Sequence, residues 1–508
     1  MKYFMLTVAF FCLCSICAAD SALMAQWQED GTAVCTETDS QDGTAIVSDG
    51  SGGAFIVWRD NRDSSYDIYA QRIDGFGNIL GPAGGVVVCK ATGAQYDPAV
   101  TTDGAGGIII AWRDDRGSDS DVYAQRMDPG LNALWTMNGV VVCNATGGQI
   151  EVSIVTDHSG GAIVVWRDHR NGNGDIYAQR VDPSGTMLWA TNGVAVCTES
   201  HYQYDPVAAS DGVGGVIIAW EDYRNGNYDI YAQGLYPNGN YAYIYNGYPI
   251  CTESNAQYGP EIAVGENLDA IIVWKDWRGT SADIYAQRIH YAYTYWTSNG
   301  IPICIAAENQ DYYDIIPDGE GGAFISWSDP RSGSYYDIYA CRVDIMGNIP
   351  WTIAVSAAYY DQNYSKMVAD GDGGFIIAWE DFRAFSDDIY AQRMDGDGNK
   401  IWWWGSDGII VSAERYYQSY PAITTDGSGG AIIAWEDSRT SYNDIYAQRM
   451  ERNGRWGYPA PSITEVRDVP GDQGGFVNLA WDASRLDSWP EEEIDQYTIW
   501  RAISESEV

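Results

Sequence analysis

WEDYRNGNYDIYAQ, running from Trp220 to Gln233, is one of eight near-copies of a single pattern. Its closing part, Asp-Ile/Val-Tyr-Ala, begins at Asp67, Asp121, Asp175, Asp229, Asp283, Asp337, Asp388 and Asp444. The first five gaps are 54 residues each, and the last two are 51 and 56. Ahead of each copy lies Trp-x-Asp-x-Arg, starting at Trp58, Trp112, Trp166, Trp220, Trp274, Trp327, Trp379 and Trp435. Self-similarity at a fixed period marks a repeat architecture, in which each unit is one supersecondary element that buries its faces against its neighbours.

One unit, read from Gln95, predicts four strands. Pro98–Thr102 is followed by the turn Asp103-Gly-Ala-Gly-Gly107, rich in positions suited to positive φ. Ile108–Trp112 is a continuous apolar run, as expected of a strand covered on both faces. Asp121–Met127 and Trp135–Cys143 complete the unit. Four antiparallel strands at this period describe a propeller blade better than a solenoid coil. Trp27–Cys35 matches the fourth strand alone, and the eighth unit ends at Trp456 without one. The reading is therefore an all-β, eight-bladed β-propeller of four-stranded blades, closed by the N-terminal strand, which leaves no open sheet edge.

The stretch EDYRNGNYDIY, Glu221 to Tyr231, resembles the blade repeat of TolB-type propellers. The resemblance covers about 15 residues per blade and implies fold rather than function; eight units depart from the six blades usual in that family. Ile463–Val466, Phe476–Trp481 and Tyr497–Trp500 resemble the first strands of a fibronectin type III-like sandwich, of which the chain holds about half. The expected organisation is a signal peptide at 1–19, the propeller at 20–457, a linker at 458–462 and the incomplete β-sandwich at 463–508. Lys2, the apolar run Phe4–Ala18 and the small residues before Asp20 carry the signal reading. No other segment is long and apolar enough to insert in a membrane.

The formal charge of −41 argues against nucleic acid and against anionic membrane surfaces, which need clustered Lys and Arg. A secreted or cell-surface protein is expected. Cys35, Cys89, Cys143, Cys197, Cys251 and Cys304 occupy one position in successive blades, where Ser356 and Ser412 follow. Packed sheets lie about 10 Å apart, beyond the reach of a disulfide, so these are read as small, buried, unpaired residues that hold no metal. Cys341, at a position where other blades carry Gln, reads the same way.

A catalytic group is needed once, whereas a structural group in a ring recurs in every blade. By that test Asp60, Arg62 and Asp67, with their seven equivalents, are structural, the first two as a carboxylate–guanidinium fork that fixes the loop. Calcium at these acids would compete with the neighbouring arginine. Gln41, Gln95, Gln149, Gln203, Gln257, Gln310, Gln362 and Gln418 recur likewise and are read as ties between blades. Variation on this frame points to recognition. Tyr204, Tyr223, Tyr258 and Trp277, from blades four and five, form an aromatic sector suited to sugars or a peptide; His169 and His201 are expected on the same face. No catalytic residue stands out, and neither a nucleophile motif nor a zinc or phosphate-loop motif is present. The expected function is binding, adhesion or display toward an extracellular glycan or protein, with a glycan-active hydrolase or lyase, or a plain scaffold, as alternatives.

Overall fold

The computed structural model describes residues 27–265, 269–290, 293–333, 335–402 and 405–457, together with the backbone of strands Ser462–Asp468 and Val477–Asp482. The expected signal peptide lies outside the described residues, as does most of the expected sandwich. Eight antiparallel sheets follow one another along the chain, the first seven in the order of the sequence from inner to outer strand. The second blade consists of Gln95–Thr102, Ile108–Asp114, Asp121–Met127 and Val140–Cys143. The fifth carries a short extra pairing through Tyr293–Thr294. In the eighth blade Thr32–Cys35 is the outer strand, hydrogen-bonded to Asp444–Met450 with Thr32 opposite Ala447. Among the described residues no helix is long and apolar enough to cross a membrane.

The core is divided into eight clusters, one at each junction between blades. Phe55, Val57 and Ile68 of the first blade pack on Ile110, Trp112 and Met127 of the second. The eighth meets the first through Ile432, Ala434 and Ile445 against Ile56, Trp58 and Ile73. Eight junctions for eight blades make the assembly a ring. Second strands such as Ile108–Asp114 are apolar without alternation because both of their faces are covered.

Three boundaries differ from the sequence reading, the second strand running on to Asp114 instead of ending at Trp112. The inner strand starts at Gln95 instead of Pro98, since Gln95 and Tyr96 already pair with Asp114 and Arg113 before a bulge. The outer strand starts at Val140 rather than Trp135. Residues 136–139 form a turn in which the Gly139 N–H donates to Thr136 O at 2.9 Å and Gly139 takes a φ of +87°. Trp135 itself turns outward to the next blade, its indole donating to Pro183 O at 3.0 Å.

Candidate functional site

The recurring charged residues are structural. Asp114 is fully buried and accepts from the Trp112 indole at 2.8 Å, from Arg116 Nε at 2.8 Å and from the Arg116 amide at 3.0 Å. The Cys89 thiol of the preceding blade faces the same carboxylate at 3.7 Å. Arg116 also donates to Asn138 O at 2.9 Å and lies 3.6 Å above the Tyr123 ring. The fork thus joins three strands and two blades. Asp121, the third member of the sequence trio, stands apart from it; its equivalents Asp175 and Asp229 accept from Asn171 and Asn225 at 2.6 Å. Burial pushes Asp67, Asp121, Asp175 and Asp229 up to about 6.

The eight glutamines are fully buried. Gln95 donates its amide N–H to Tyr66 O of the preceding blade at 2.7 Å and its side-chain amide to Gly93 O at 3.0 Å. They tie blades together behind the rim instead of lining it. All seven described cysteines are free and buried.

The channel wall departs from uniformity just after each glutamine. Counted from the repeated glutamine, every inner strand carries a β-bulge between the second and fifth residues, for example between Asp42 and Ala45, Asp311 and Asp314, and Asn363 and Lys366. The third residue of each strand adopts a left-handed φ: Gly43 at 66°, Asp97 at 52°, Glu151 at 55°, Asp205 at 46°, Gly259 at 58°, Tyr312 at 49°, Tyr364 at 53° and Tyr420 at 55°. Six of the eight are not glycine, a costly choice unless the surroundings enforce it. In four blades a carboxylate of the preceding blade accepts the amide N–H of the bulge residue: Glu221 from Gly259 at 2.7 Å, Glu380 from Tyr420 at 2.6 Å, Glu436 from Gly43 at 2.9 Å and Glu151 from Asp205 at 2.9 Å.

These third residues divide the rim into two arcs. Blades two to four contribute Asp97, Glu151 and Asp205, of which Glu151 pairs with Arg167 at 2.6 Å and Asp97 with Arg59 at 3.4 Å. Blades six to eight contribute three tyrosines, Tyr312, Tyr364 and Tyr420. Tyr312 and Tyr364 have ring centroids 4.2 Å apart, Tyr364 and Tyr420 5.5 Å apart. Tyr312 and Tyr420 remain 38% and 55% exposed. A cavity of about 520 Å³ opens beneath them, reaching Thr44 of the first blade.

Two residues further along each strand, the ring of fifth residues reads Ala45, Ala99, Ser153, Val207, Glu261, Asp314, Lys366 and Ala422. They share one register, opposite Val57, Ala111, Val165, Ala219, Val273, Ser326, Ala378 and Ala434. Five are small or apolar, and three consecutive blades are charged. Lys366 Nζ lies 3.2 Å from Asp314, whose other oxygen accepts the Met367 amide at 2.7 Å. Both line the cavity, and the Lys366 side chain is 46% exposed within it. Burial pushes the Glu261 carboxyl above its ordinary value; Lys366 opposes that and Asp314 adds to it. The Tyr313 hydroxyl donates to Tyr258 O at 3.0 Å and also to Gly259 O, fixing the sixth blade on the fifth.

The residues singled out from sequence are only partly brought together. Tyr204, Tyr223 and Tyr258 surround Tyr228, with centroid distances of 5.7, 4.9 and 5.0 Å. His201 lies 6.3 Å from Tyr223 and is exposed. Trp277 has no ring contact with this cluster among the described residues. His169 is half-buried, its Nδ1 3.1 Å from Gly148 O. The large cavity lies on other blades, beneath Tyr312, Tyr364 and Tyr420. Sequence reasoning compared the residue directly after each glutamine, the second when the glutamine is counted as the first, and passed over the third and fifth. The charged fifth residues were visible to the same comparison; the left-handed bulge was not, since no common residue type marks it.

No known protein family matches the chain, and no curated protein matches it. Solved structures give shallow likenesses. Porphyromonas gingivalis dipeptidyl peptidase 4 is 12% identical with a TM-score of 0.46, covering 87% of this chain and 65% of its own. A polysaccharide lyase, the PL25 ulvan lyase, is 11% identical at 0.44, covering 72% and 96%. The β-propeller domain of the trilobed protease of Pyrococcus furiosus is 8% identical at 0.41, covering 71% and 97%. Likenesses this shallow transfer neither a ligand nor a reaction.

Proposed function

We propose that this chain is an exported binding module that takes a carbohydrate into the mouth of its channel. The observation that carries the reading is the tyrosine arc: Tyr312, Tyr364 and Tyr420 occupy one equivalent position in three consecutive blades, above a cavity of about 520 Å³. Tyrosine faces stack on the apolar faces of sugar rings, and their hydroxyls bond to sugar hydroxyls. Their clustering in one sector sets them apart from the residues that recur all round the ring. The Tyr204–Tyr223–Tyr258 cluster would serve as a second contact surface. Export rests on the leader-like residues 1–19, the clasp on the pairing of Thr32–Cys35, and the fibronectin-like identity of the tail on sequence alone.

The test is a glycan array and calorimetry on the full chain, with and without chelator. Saturable binding is expected, weakened at least about tenfold in a Tyr364→Ala, Tyr420→Ala variant that keeps its circular dichroism. A Tyr223→Ala, Trp277→Ala variant reports on the second surface. Absence of binding by any glycan would sink the proposal and leave a protein ligand or a scaffold. A hydrolytic second reading draws on Glu261 and Asp314, two carboxylates found once in the ring, and predicts release of reducing ends from a bound oligosaccharide.

A further inference from the structure

We infer that the cavity takes an acidic saccharide, a run of neutral rings carrying one anionic group that meets the Lys366 ammonium; this rests on the carbohydrate reading of the same cavity. Among the described residues Lys366 is the one cationic side chain in the lining, and Asp314 the one anionic. The two are not presented equally. The lysine side chain is 46% exposed and the aspartate 14%, so the pair offers its ammonium end to a ligand beneath the tyrosines. Asp314 is occupied on both oxygens: one faces Lys366 at 3.2 Å, and the other accepts the Met367 amide at 2.7 Å. Lys366 Nζ has no second acceptor among the described residues, whereas an ammonium carries three N–H donors.

The surroundings keep that ammonium charged and usable. Asp314 holds Lys366 in its protonated form, against the burial that favours the neutral amine, and Glu261 adds to this through space. Much of the remaining wall is apolar, through Ile46, Ile316, Met367 and Ile423, where a charge contact is screened less than in water. Tyr364 and Lys366 stand two residues apart on one inner strand. A sugar ring lying on the tyrosine faces therefore has a cation within the same wall for an acidic substituent at its edge. The net charge of −41 and the rim acids Asp97, Glu151 and Asp205 oppose a ligand of high charge density. Those three acids belong to other blades and lie outside the lining, and physiological salt screens exposed charges over about 8 Å. A single acidic group among neutral rings keeps the contact with Lys366 and meets the least repulsion.

The experiment is calorimetric titration of the full chain at pH 7 and physiological salt with three singly charged oligosaccharides: aldotetraouronic acid, sialyllactose and lactose sulfate. Each is run beside a neutral counterpart, the methyl ester for the first two and lactose for the last. At least one acid is expected to bind about tenfold more tightly than its counterpart, the magnitude of one charge-assisted contact. Which acid does so separates a uronate, a sialate and a sulfate ester as the source of the charge. Lys366→Gln is expected to erase the difference while the neutral counterpart binds as before, and Lys366→Arg to retain it. A Lys366→Gln, Asp314→Asn variant removes both charges of the pair, leaves no partnerless aspartate behind, and is expected to match Lys366→Gln. Two results overturn the inference and leave the carbohydrate reading standing: neutral counterparts that bind as tightly as all three acids, or an acid preference that survives in both variants lacking the lysine. Absence of binding by every acid and every neutral counterpart overturns the carbohydrate reading itself.

Discussion

Six of the seven described cysteines, all but Cys341, are held between an arginine and an aspartate. Cys89 receives Arg116 at 3.2 Å and faces Asp114, and burial pushes Cys35, Cys89, Cys143 and Cys251 up to about 12. The thiolate is the reactive form, so iodoacetamide at pH 8 is expected to leave the native protein unlabelled and to react once guanidinium unfolds it. Rapid native labelling would refute this environment. Ser356 shows that a hydroxyl can take the same place, since Arg383 donates to its Oγ at 3.3 Å and that hydroxyl reaches Asp407 O at 3.3 Å. Cys89→Ser is accordingly expected to change stability by no more than about 1 kcal/mol in denaturant melts.

At the scale of the blade, the fork and the bulge divide the labour between fold and site. The fork buries a fully enclosed carboxylate among an indole, a guanidinium and the thiol of the preceding blade. Asp114→Asn would leave Arg116 facing a neutral amide in a largely buried place, and a loss of about 3 kcal/mol is expected in urea unfolding. A loss below about 1 kcal/mol would mean that the fork is dispensable. The bulge takes the opposite role: it turns one residue per blade out of the ladder at the channel mouth. Where its amide is held by Glu221, Glu380 or Glu436 of the neighbouring blade, packing between units supports the strained conformation and leaves the side chain free to vary.

Those glutamates give the whole ring a pH dependence. Burial pushes Glu221, Glu380 and Glu436 from an ordinary 4.5 to about 7. Asp67, Asp121, Asp175, Asp229, Asp388 and Asp444 rise from 3.8 to about 6. The folded carboxyls bind their protons more tightly than the unfolded ones. Their contribution to stability is therefore full below the unfolded values, and it is lost as pH climbs through about 6 for the aspartates and about 7 for the glutamates. Repulsion within a chain of net charge −41 acts in the same direction. Thermal unfolding is expected to show a higher Tm near pH 5 than near pH 8, with a shallower slope in a Glu221→Gln, Glu380→Gln, Glu436→Gln variant. A Tm that rises from pH 5 to pH 8 would contradict this account.

Much of this molecule is written plainly along the chain. A repeat of Trp-x-Asp-x-Arg and Asp-Ile-Tyr-Ala at a steady period determines a four-stranded unit, because each unit has apolar faces that only a like neighbour can cover. The ring follows from that, as does the structural role of any charge present in every blade. The sector of Tyr204, Tyr223 and Tyr258 was legible as a cluster, since variation at a fixed repeat position can be read directly. The cavity was not. Its place depends on a left-handed bulge that glycine, aspartate, glutamate and tyrosine all adopt, so no residue type announces it. Its charged lining depends on Asp314 and Lys366 meeting across two blades. Neighbouring units must first be packed side by side before those contacts exist, and only the tertiary structure makes them.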